Sequence, residues 1–403
     1  MADFYQNGVV TTLHNLRLRP NEELEEELLE FSETRPRALV IPCLYSELQG
    51  QALPKIVDEL TKVKYLNEVV IGLDRANRKE FEHAQKFFSK LPQNFKLLWN
   101  DGPRLKKLNK ILFDKKLAPY EMGKGRNAWF SFGYLVASDK SEAIALHDAD
   151  ILTYDRSILS RLFYPVVNTN FKYQFCKAYY YRSTKEKLRG RVVRLLVFPL
   201  IRALRKIFGY LEFIDYLNSF RYPLAGEFSM RADVIKNVRI PSDWGLEIGI
   251  LSEIHRNHST ARICQVEIAD RYDHKHQPLS VENPQAGLSK MSLDISKSIF
   301  TKLATNGVVF TRETFRSIKA TYYRIALDLL EQYHSDAIMN GLNIDRHSEE
   351  ESVDLFAQNI YNAGMDYLSN PMQTGFIPSW KRVMSAIPDY MDKFYEAVEL
   401  DNQ

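Results

Sequence analysis

Between residues 37 and 150, short apolar runs alternate with stretches of helical length and pattern. No other feature narrows the possible architectures so far. Arg37 to Pro42 reads as a strand, residues 47 to 62 as a helix, Glu68 to Leu73 as a second strand and Glu80 to Lys90 as a second helix. Phe95 to Trp99 is a third strand, Asn127 to Ser138 a further helix, and Ala143 to His147 a fourth strand. Strands separated by helices build a mixed, mainly parallel α/β sheet with helices on both faces. Ligands of such sheets sit beyond the carboxyl ends of the strands. Pro42-Cys43-Leu44, Asp74 and the pair Asp148/Asp150 all fall at such ends.

The stretch His147-Asp148-Ala149-Asp150 follows the apolar run Ala143-Ile144-Ala145-Leu146. Side chains on an extended chain alternate faces, so Asp148 and Asp150 point the same way. Two carboxylates there make a hard oxygen site suited to Mg²⁺ or Mn²⁺ carrying substrate phosphates. Gly123-Lys124-Gly125 precedes a helix. Glycines permit close backbone approach, a helix start favours anions, and Lys124 adds a point charge, so a phosphate or ribose is expected nearby. The segment lacks the glycine spacing and the Ser/Thr of a Walker loop.

Residues 182 to 206 form the strongest basic patch, with Arg182, Lys185, Lys187, Arg189, Arg191, Arg194, Arg202, Arg205 and Lys206 against a single acid, Glu186. A guanidinium forks onto oxyanions, so Gly190-Arg191 is the expected reader of an anionic acceptor. Glu227, in the turn Ala225-Gly226-Glu227, suits sugar hydroxyls. Asp243-Trp244-Gly245-Leu246-Glu247 brings acids and an aromatic ring together, and Asp243 also suits the N-cap of a helix from Leu246. As neutral imidazole, His274 or His276 could complete a metal shell begun by carboxylates.

Tyr173 to Tyr181 and Ala261 to Ile268 read as strands, and Val192 to Phe208 as a helix that starts basic. Beyond residue 285, Phe315, Ile318, Tyr322, Ile325, Leu329 and Tyr333 recur at helical spacing. Ser348-x-x-Glu351 has the form of a capping box. A chain of 403 residues with net charge +3 offers no global attraction for nucleic acid. Its longest strongly apolar stretch, Leu195 to Ile201, is too short to span a bilayer, so no stable membrane insertion is expected. The N-terminus lacks the pattern of a signal peptide, and Cys43, Cys176 and Cys264 fit neither a zinc spacing nor a disulfide framework. A cytoplasmic setting is expected.

With these residues in view, the chain resembles the glucosyl-3-phosphoglycerate synthases, retaining glycosyltransferases of GT-A fold. The likeness runs from about residue 38 to 280. It rests on Val40-Ile41-Pro42-Cys43-Leu44, Gly123-Lys124-Gly125, Asp148-Ala149-Asp150, Lys177-Ala178-Tyr179-Tyr180, Gly190-Arg191-Val192, Pro199-Leu200, Leu224-Ala225-Gly226-Glu227, Gly245-Leu246-Glu247-Ile248-Gly249, His274 and Pro278-Leu279. Ile71-Gly72-Leu73-Asp74-Arg75, Ser242-Asp243-Trp244-Gly245 and the long helical C-terminal region are similar instead to mannosylglycerate synthases, the glucosyl family being shorter at that end.

The resemblance implies a nucleotide-sugar site at Pro42, Cys43, Leu44, Glu47, Asp74, Lys124 and Asp148. It implies a divalent metal at Asp150 and His274 with Asp148 nearby, and an acceptor site at Gly190, Arg191 and His276. Asp150, Glu227 and Asp243 are the catalytic candidates. The chain departs from the family pattern at Ser46, Val193, Tyr272 and His276, mostly on the acceptor side. The expected activity is metal-dependent transfer of a hexose, with UDP-glucose as the favoured donor, to 3-phosphoglycerate or glycerate. A GDP-mannose-dependent synthase is one alternative. An inactive nucleotide-sugar-binding or assembly protein is another, and a nucleotidyltransferase is disfavoured by the absence of a Gly-rich loop after the first strand. The expected organisation is an N-terminal extension at 1–36, a catalytic domain at 37–284 divided at residue 150 into nucleotide and acceptor halves, and a helical region at 285–403. A homo-oligomer is the expected state.

Overall fold

The computed structural model describes residue 6 and residues 8–118, 123–184, 186–274, 287–371 and 376–403. Its strands, in chain order, are β1 (Thr11–Leu13), β2 (Arg37–Leu44), β3 (Glu68–Asp74), β4 (Asn94–Trp99), β5 (Ala143–Leu146), β6 (Phe175–Arg182), β7 (Phe228–Arg231), β8 (Ile240–Pro241), β9 (Ile263–Tyr272) and β10 (Phe376–Ile377). Eight of them form one sheet in the order β1-β9-β6-β7-β5-β2-β3-β4, and β8 pairs with β10 apart from it. Within the eight-stranded sheet, among the described residues, β7 alone runs antiparallel to its neighbours, β5 and β6, and the separate β8–β10 pair is antiparallel too. The other pairs of that sheet are parallel, as the strand-helix alternation requires.

The central strands are buried on both faces, which is why Leu39–Ile41, Val69–Ile71 and Ala143–Leu146 are continuous apolar runs rather than alternating ones. One core lies on each side of the sheet. The first joins the helix Lys124–Ser138 to the helices Gly287–Thr305, Arg312–Met339 and Arg346–Ser369 through Trp129, Ile295, Phe315 and Phe356. The second packs Ala52–Leu60, Arg78–Phe88 and Arg156–Val167 on the opposite face.

Both sheet edges are finished by segments distant in sequence. β1 adds to β9 beside Cys264–Val266. At the other edge, Asn402 lies against β4, with its side-chain oxygen accepting from the Leu97 N–H at 2.9 Å and its amide donating to the Leu97 carbonyl at 2.9 Å.

Several local expectations are corrected. The stretch from residue 47 is a 3₁₀ turn, Tyr45–Gln49, before the helix Ala52–Leu60 begins. The helix expected over Val192 to Phe208 carries a π-helical segment, Val193–Val197, and is α-helical over Phe198–Phe208; Pro199, which has no N–H to give to the helix, stands just past that junction. Asp345, not Ser348, caps Arg346–Ser369, and Ser348 supplies the N–H that its side chain accepts. Asp243 does not occupy the N-cap of Leu246–Asn257; that place belongs to Gly245, whose N–H donates to Asp243 Oδ1 at 2.8 Å. The helices Pro103–Asp114 and Arg156–Val167 were not anticipated from the sequence. Among the described residues, no helix is long and apolar enough to cross a membrane.

Candidate active site

The strand ends converge as the topology demands. Cys43 and Leu44 close β2, Asp74 closes β3, and the loop carrying Asp148 and Asp150 follows β5. Pro42 is half-buried, Cys43 is a buried free thiol pushed up by burial, and Leu44 is exposed. Glu47 sits in the 3₁₀ turn just beyond. Burial raises the Asp74 carboxyl above its ordinary range, opposed by hydrogen bonds from Asn127 and Asn100, the latter at 2.8 Å.

His147 fixes the acidic loop from beneath. It is fully buried, its Nδ1 lies 2.9 Å from the Asp148 carbonyl, and burial lowers its pKa to about 4, so the ring is neutral near pH 7 and can donate that bond. Beyond it, Ile151 bridges antiparallel to His274 and the Leu152 N–H donates to the Asp273 carbonyl at 2.9 Å. This return of the chain past the end of β9 brings His274 Nδ1 to 3.6 Å from Asp150 Oδ2. The two residues expected to share a metal therefore stand together. A carboxylate beside an imidazole is a donor set that Mn²⁺ or Mg²⁺ accepts, with further positions left to substrate oxygens. Among the described residues, no group of three His, Cys, Asp or Glu side chains forms a complete metal shell.

Asp148 turns instead to Lys124, whose Nζ lies 2.5 Å from Asp148 Oδ1 and 3.1 Å from Glu247 Oε1. Lys124 is placed by its helix, which is pinned to β3 by the Asn127 amide donating to the Gly72 carbonyl at 2.7 Å. Close backbone approach does occur at Gly125, but to the Pro241 carbonyl, 2.1 Å from where a Cβ would stand. Burial alone would raise Asp148, yet Lys124 outweighs it and holds the carboxyl below its ordinary value. In return, the carboxylates overcome the burial of Lys124 and keep it protonated.

Gly226 lies directly under this pair. A Cβ there would stand 2.5 Å from Asp148 Oδ2 and 2.8 Å from Lys124 Nζ, so only glycine leaves the pair room. The neighbouring Glu227 is fully buried. Tyr272 donates to its Oε1 at 2.5 Å and Tyr180 to its Oε2 at 2.8 Å, and the two phenol rings stack with centroids 3.7 Å apart. Burial, then the Asp148 charge, pushes the Glu227 carboxyl up, against the pull of these hydrogen bonds and Lys124.

The Gly190-Arg191 turn adjoins this row of aromatics. Tyr180 packs on Tyr222 with centroids 4.9 Å apart, Arg182 Nη1 lies 3.5 Å from the Tyr222 hydroxyl, and Gly190 takes φ +76° beside that hydroxyl. The Nε atoms of Arg182 and Arg189 are buried without a hydrogen-bond partner. Asp243 is half-buried next to exposed Trp244. His276 lies outside the described residues.

Comparison with known proteins gives this arrangement a family. No family profile matches the chain. Over 402 residues it is 44% identical to a glucosyl-3-phosphoglycerate synthase of Persephonella marina, covering 100% of this chain and 99% of that protein. The chain belongs to the glucosyl-3-phosphoglycerate synthase family. It is a nucleotide-sugar glycosyltransferase. A second synthase of that name, from Methanococcoides burtonii, is 39% identical over 408 residues, covering 99% of this chain and 98% of that one. The C-terminal helices thus do not separate this chain from the glucosyl family, contrary to the expectation from length, because these relatives match it from end to end.

Solved structures show the GT-A fold. The glucosyl-3-phosphoglycerate synthase of Mycobacterium tuberculosis, in complex with Mg²⁺ and UDP, superposes with a TM-score of 0.54 at 20% identity, covering 73% of this chain and 87% of that one. The mannosyl-3-phosphoglycerate synthase of Rubrobacter xylanophilus does so with a TM-score of 0.55 at 18% identity, covering 74% and 83%.

In this member of the glucosyl-3-phosphoglycerate synthase family, Lys177, Tyr180 and Tyr272 were noted in the sequence but given no role there, and the structure gathers them around Glu227 and Ala225. Lys177 is fully buried, donates to the Ala225 carbonyl at 2.5 Å, and is lowered to about 8 by burial despite nearby Glu247 and Glu227. A lysine inside an otherwise apolar strand was the available signal. The stacking of Tyr180 on Tyr272 had none: β6 and β9 set Tyr180 opposite Ala269 and Tyr272 opposite Arg182, and the rings meet where the register shifts between those positions.

Proposed function

We propose that this protein transfers glucose from UDP-glucose to the hydroxyl of a small anionic acceptor, 3-phosphoglycerate or glycerate, with retention at the anomeric carbon. The observation that carries the reading is the meeting of Asp150 and His274 at 3.6 Å. It supports a divalent cation at the point where the β5 loop and the end of β9 adjoin. The relatives' names support the donor and acceptor classes.

Asp150 and His274 would hold Mg²⁺ or Mn²⁺, with Asp148 beside them. When bound, the cation supplies positive charge that offsets the departing diphosphate. Pro42, Cys43, Leu44, Glu47 and Asp74 line the nucleoside site in this reading. Lys124, locked as a cation by Asp148 and Glu247, keeps a second positive charge near the pyrophosphate. Glu227 underlies the hexose and braces the floor at Gly226, while Asp243 and Trp244 stand at its rim.

Gly190 and Arg191 anchor the acceptor's phosphate or carboxylate. The unpartnered Nε donors of Arg182 and Arg189 support an oxyanion there, since buried N–H groups otherwise go unsatisfied. The bond from the anomeric carbon to the diphosphate oxygen breaks, the acceptor oxygen bonds to that carbon from the same face, and the acceptor proton passes to the leaving phosphate. In this scheme residues 37–150 serve the nucleotide and 151–284 the acceptor. The test is a matrix of UDP-glucose and GDP-mannose against 3-phosphoglycerate and glycerate, with Mn²⁺, read by product mass. Glucosylated product from UDP-glucose is expected. Mannosylated product alone would replace the donor assignment, and no product from any pair would overturn the reading.

A further inference from the structure

The acceptor turn is held from outside the sheet. After β6, Ser183 bridges to Leu188 and the Arg189 N–H donates to the Arg182 carbonyl at 2.9 Å. It then turns through Gly190 at φ +76° and enters the π-helical segment Val193–Val197. Short π-helical insertions recur at functional sites and leave carbonyls in need of partners.

The helices Arg312–Met339 and Arg346–Ser369 pack against this segment, and the first supplies such a partner. Tyr322 donates to the Leu195 carbonyl at 2.5 Å. The Asn343 N–H, between the two helices, donates to the Glu186 carbonyl at 2.6 Å, and Asn343 bridges to Lys187. Arg194 is the centre of the contact. Its Nη2 and Nη1 reach the two oxygens of Glu349 at 2.5 and 3.1 Å, with side chains only 9% and 5% exposed. Its Nε donates to the Arg189 carbonyl at 2.9 Å, and its guanidinium lies 5.0 Å from the centre of the Tyr333 ring.

One planar group thus has one edge on the C-terminal helix and the other on the backbone immediately before Gly190. A buried ion pair adds little stability over apolar packing of the same volume. A fork of this kind does set geometry, because the guanidinium is rigid and its donors are directional. With those donors engaged, Arg194 is not a ligand for the acceptor itself.

We infer that Glu349 is a positioning residue for acceptor recognition. Through Arg194 it fixes the Arg189-Gly190-Arg191 backbone, and the C-terminal helix pair is the brace against which the acceptor turn is set. The inference rests on the reading of Gly190-Arg191 as the acceptor site.

The experiment measures initial rates of the full chain with UDP-glucose, Mn²⁺ and 3-phosphoglycerate, with D-glycerate run in parallel. Glu349→Gln keeps the side-chain shape and weakens the fork. It is expected to raise the acceptor KM roughly 10- to 100-fold, the scale of a displaced anchoring group, with donor KM and UDP binding unchanged. The double variant Arg194→Met/Glu349→Leu removes the buried charges together, so its thermal midpoint should stay near that of the parent. Its acceptor KM should remain raised, because the bond to the Arg189 carbonyl is gone. Recovery of acceptor KM in that double variant would reduce the pair to a packing role and overturn the inference. So would a Glu349→Gln variant that leaves acceptor KM untouched or raises both substrates' KM alike. Arg191→Ala separates the two levels of the argument. Unchanged acceptor KM there removes the acceptor site itself, whereas a raised value with an unaffected Glu349→Gln removes only the brace.

Discussion

Tyr272 donates a 2.5 Å hydrogen bond to Oε1 of Glu227, and the ring that makes it lies flat on Tyr180, which serves the other oxygen. The rings meet where the parallel pairing of β6 with β9 shifts register, between Tyr180 and Arg182, and Glu227 enters just before β7. Removing either phenol would leave a buried carboxylate oxygen short of a donor. Hydrogen bonds to charged groups are worth about 1.5–3 kcal/mol. Tyr272→Phe should therefore lower kcat/KM for the donor by roughly 10- to 150-fold while secondary structure persists. Steady-state kinetics beside circular dichroism checks this, and an unaltered kcat/KM would show that the clamp does not serve the reaction.

Asp150→Ala and His274→Ala should each abolish metal-dependent transfer with the fold intact, since either change halves the paired donor set. Mn²⁺ binding, followed by electron paramagnetic resonance, should weaken in both variants. If one of the two kept normal Mn²⁺ affinity and turnover, the paired site would have to be abandoned.

Gly226→Ala tests the floor beneath Lys124 and Asp148. The new methyl would meet the far ends of two side chains, which can swing aside at little cost in stability. The ion pair that orients them would part, however. A near-normal melting temperature together with a large loss of activity is the expected combination, measured by differential scanning fluorimetry and product formation. Full activity would mean that the contact has no part in turnover.

Lys177 yields a pH prediction. Its folded pKa is lowered to about 8 from the ordinary 10.5, chiefly by burial. Between those values the unfolded chain binds the proton more strongly than the folded one. Stability attributable to this group therefore rises with pH across that window. Urea unfolding of the parent and of Lys177→Met at pH 7.5 and pH 9.5 gives the comparison. The parent should gain on the variant at the higher pH, and a constant difference would contradict a strained buried ammonium.

The strands between residues 37 and 150 were legible because Leu39–Ile41, Val69–Ile71 and Ala143–Leu146 are buried on both faces and so read as unbroken apolar runs. Asp74, Asp148 and Asp150 followed, as carboxylates at strand ends stand out against such runs. His274 could be proposed but not placed, because its approach to Asp150 depends on the Ile151 bridge, a contact between distant segments. The helix Arg156–Val167 was hidden by Pro165 within it, and the Asp345 cap by a competing Ser-x-x-Glu pattern a few residues on. The Arg194–Glu349 fork joins parts of the chain that carry no mutual signal in one sequence. In the basic segment, a structural arginine and an unpartnered one look alike until burial distinguishes them.

Asn402, lying along the rim of β4, gives Leu97 both bonds that another strand would otherwise offer. A single carboxamide thereby behaves as a one-residue counterfeit strand. It leaves no bare amide ladder at that position where a second molecule could zip on, which is the usual route by which an open rim seeds aggregates. Restraint against self-association is thus built into the same element that finishes the sheet, at the opposite rim from β1.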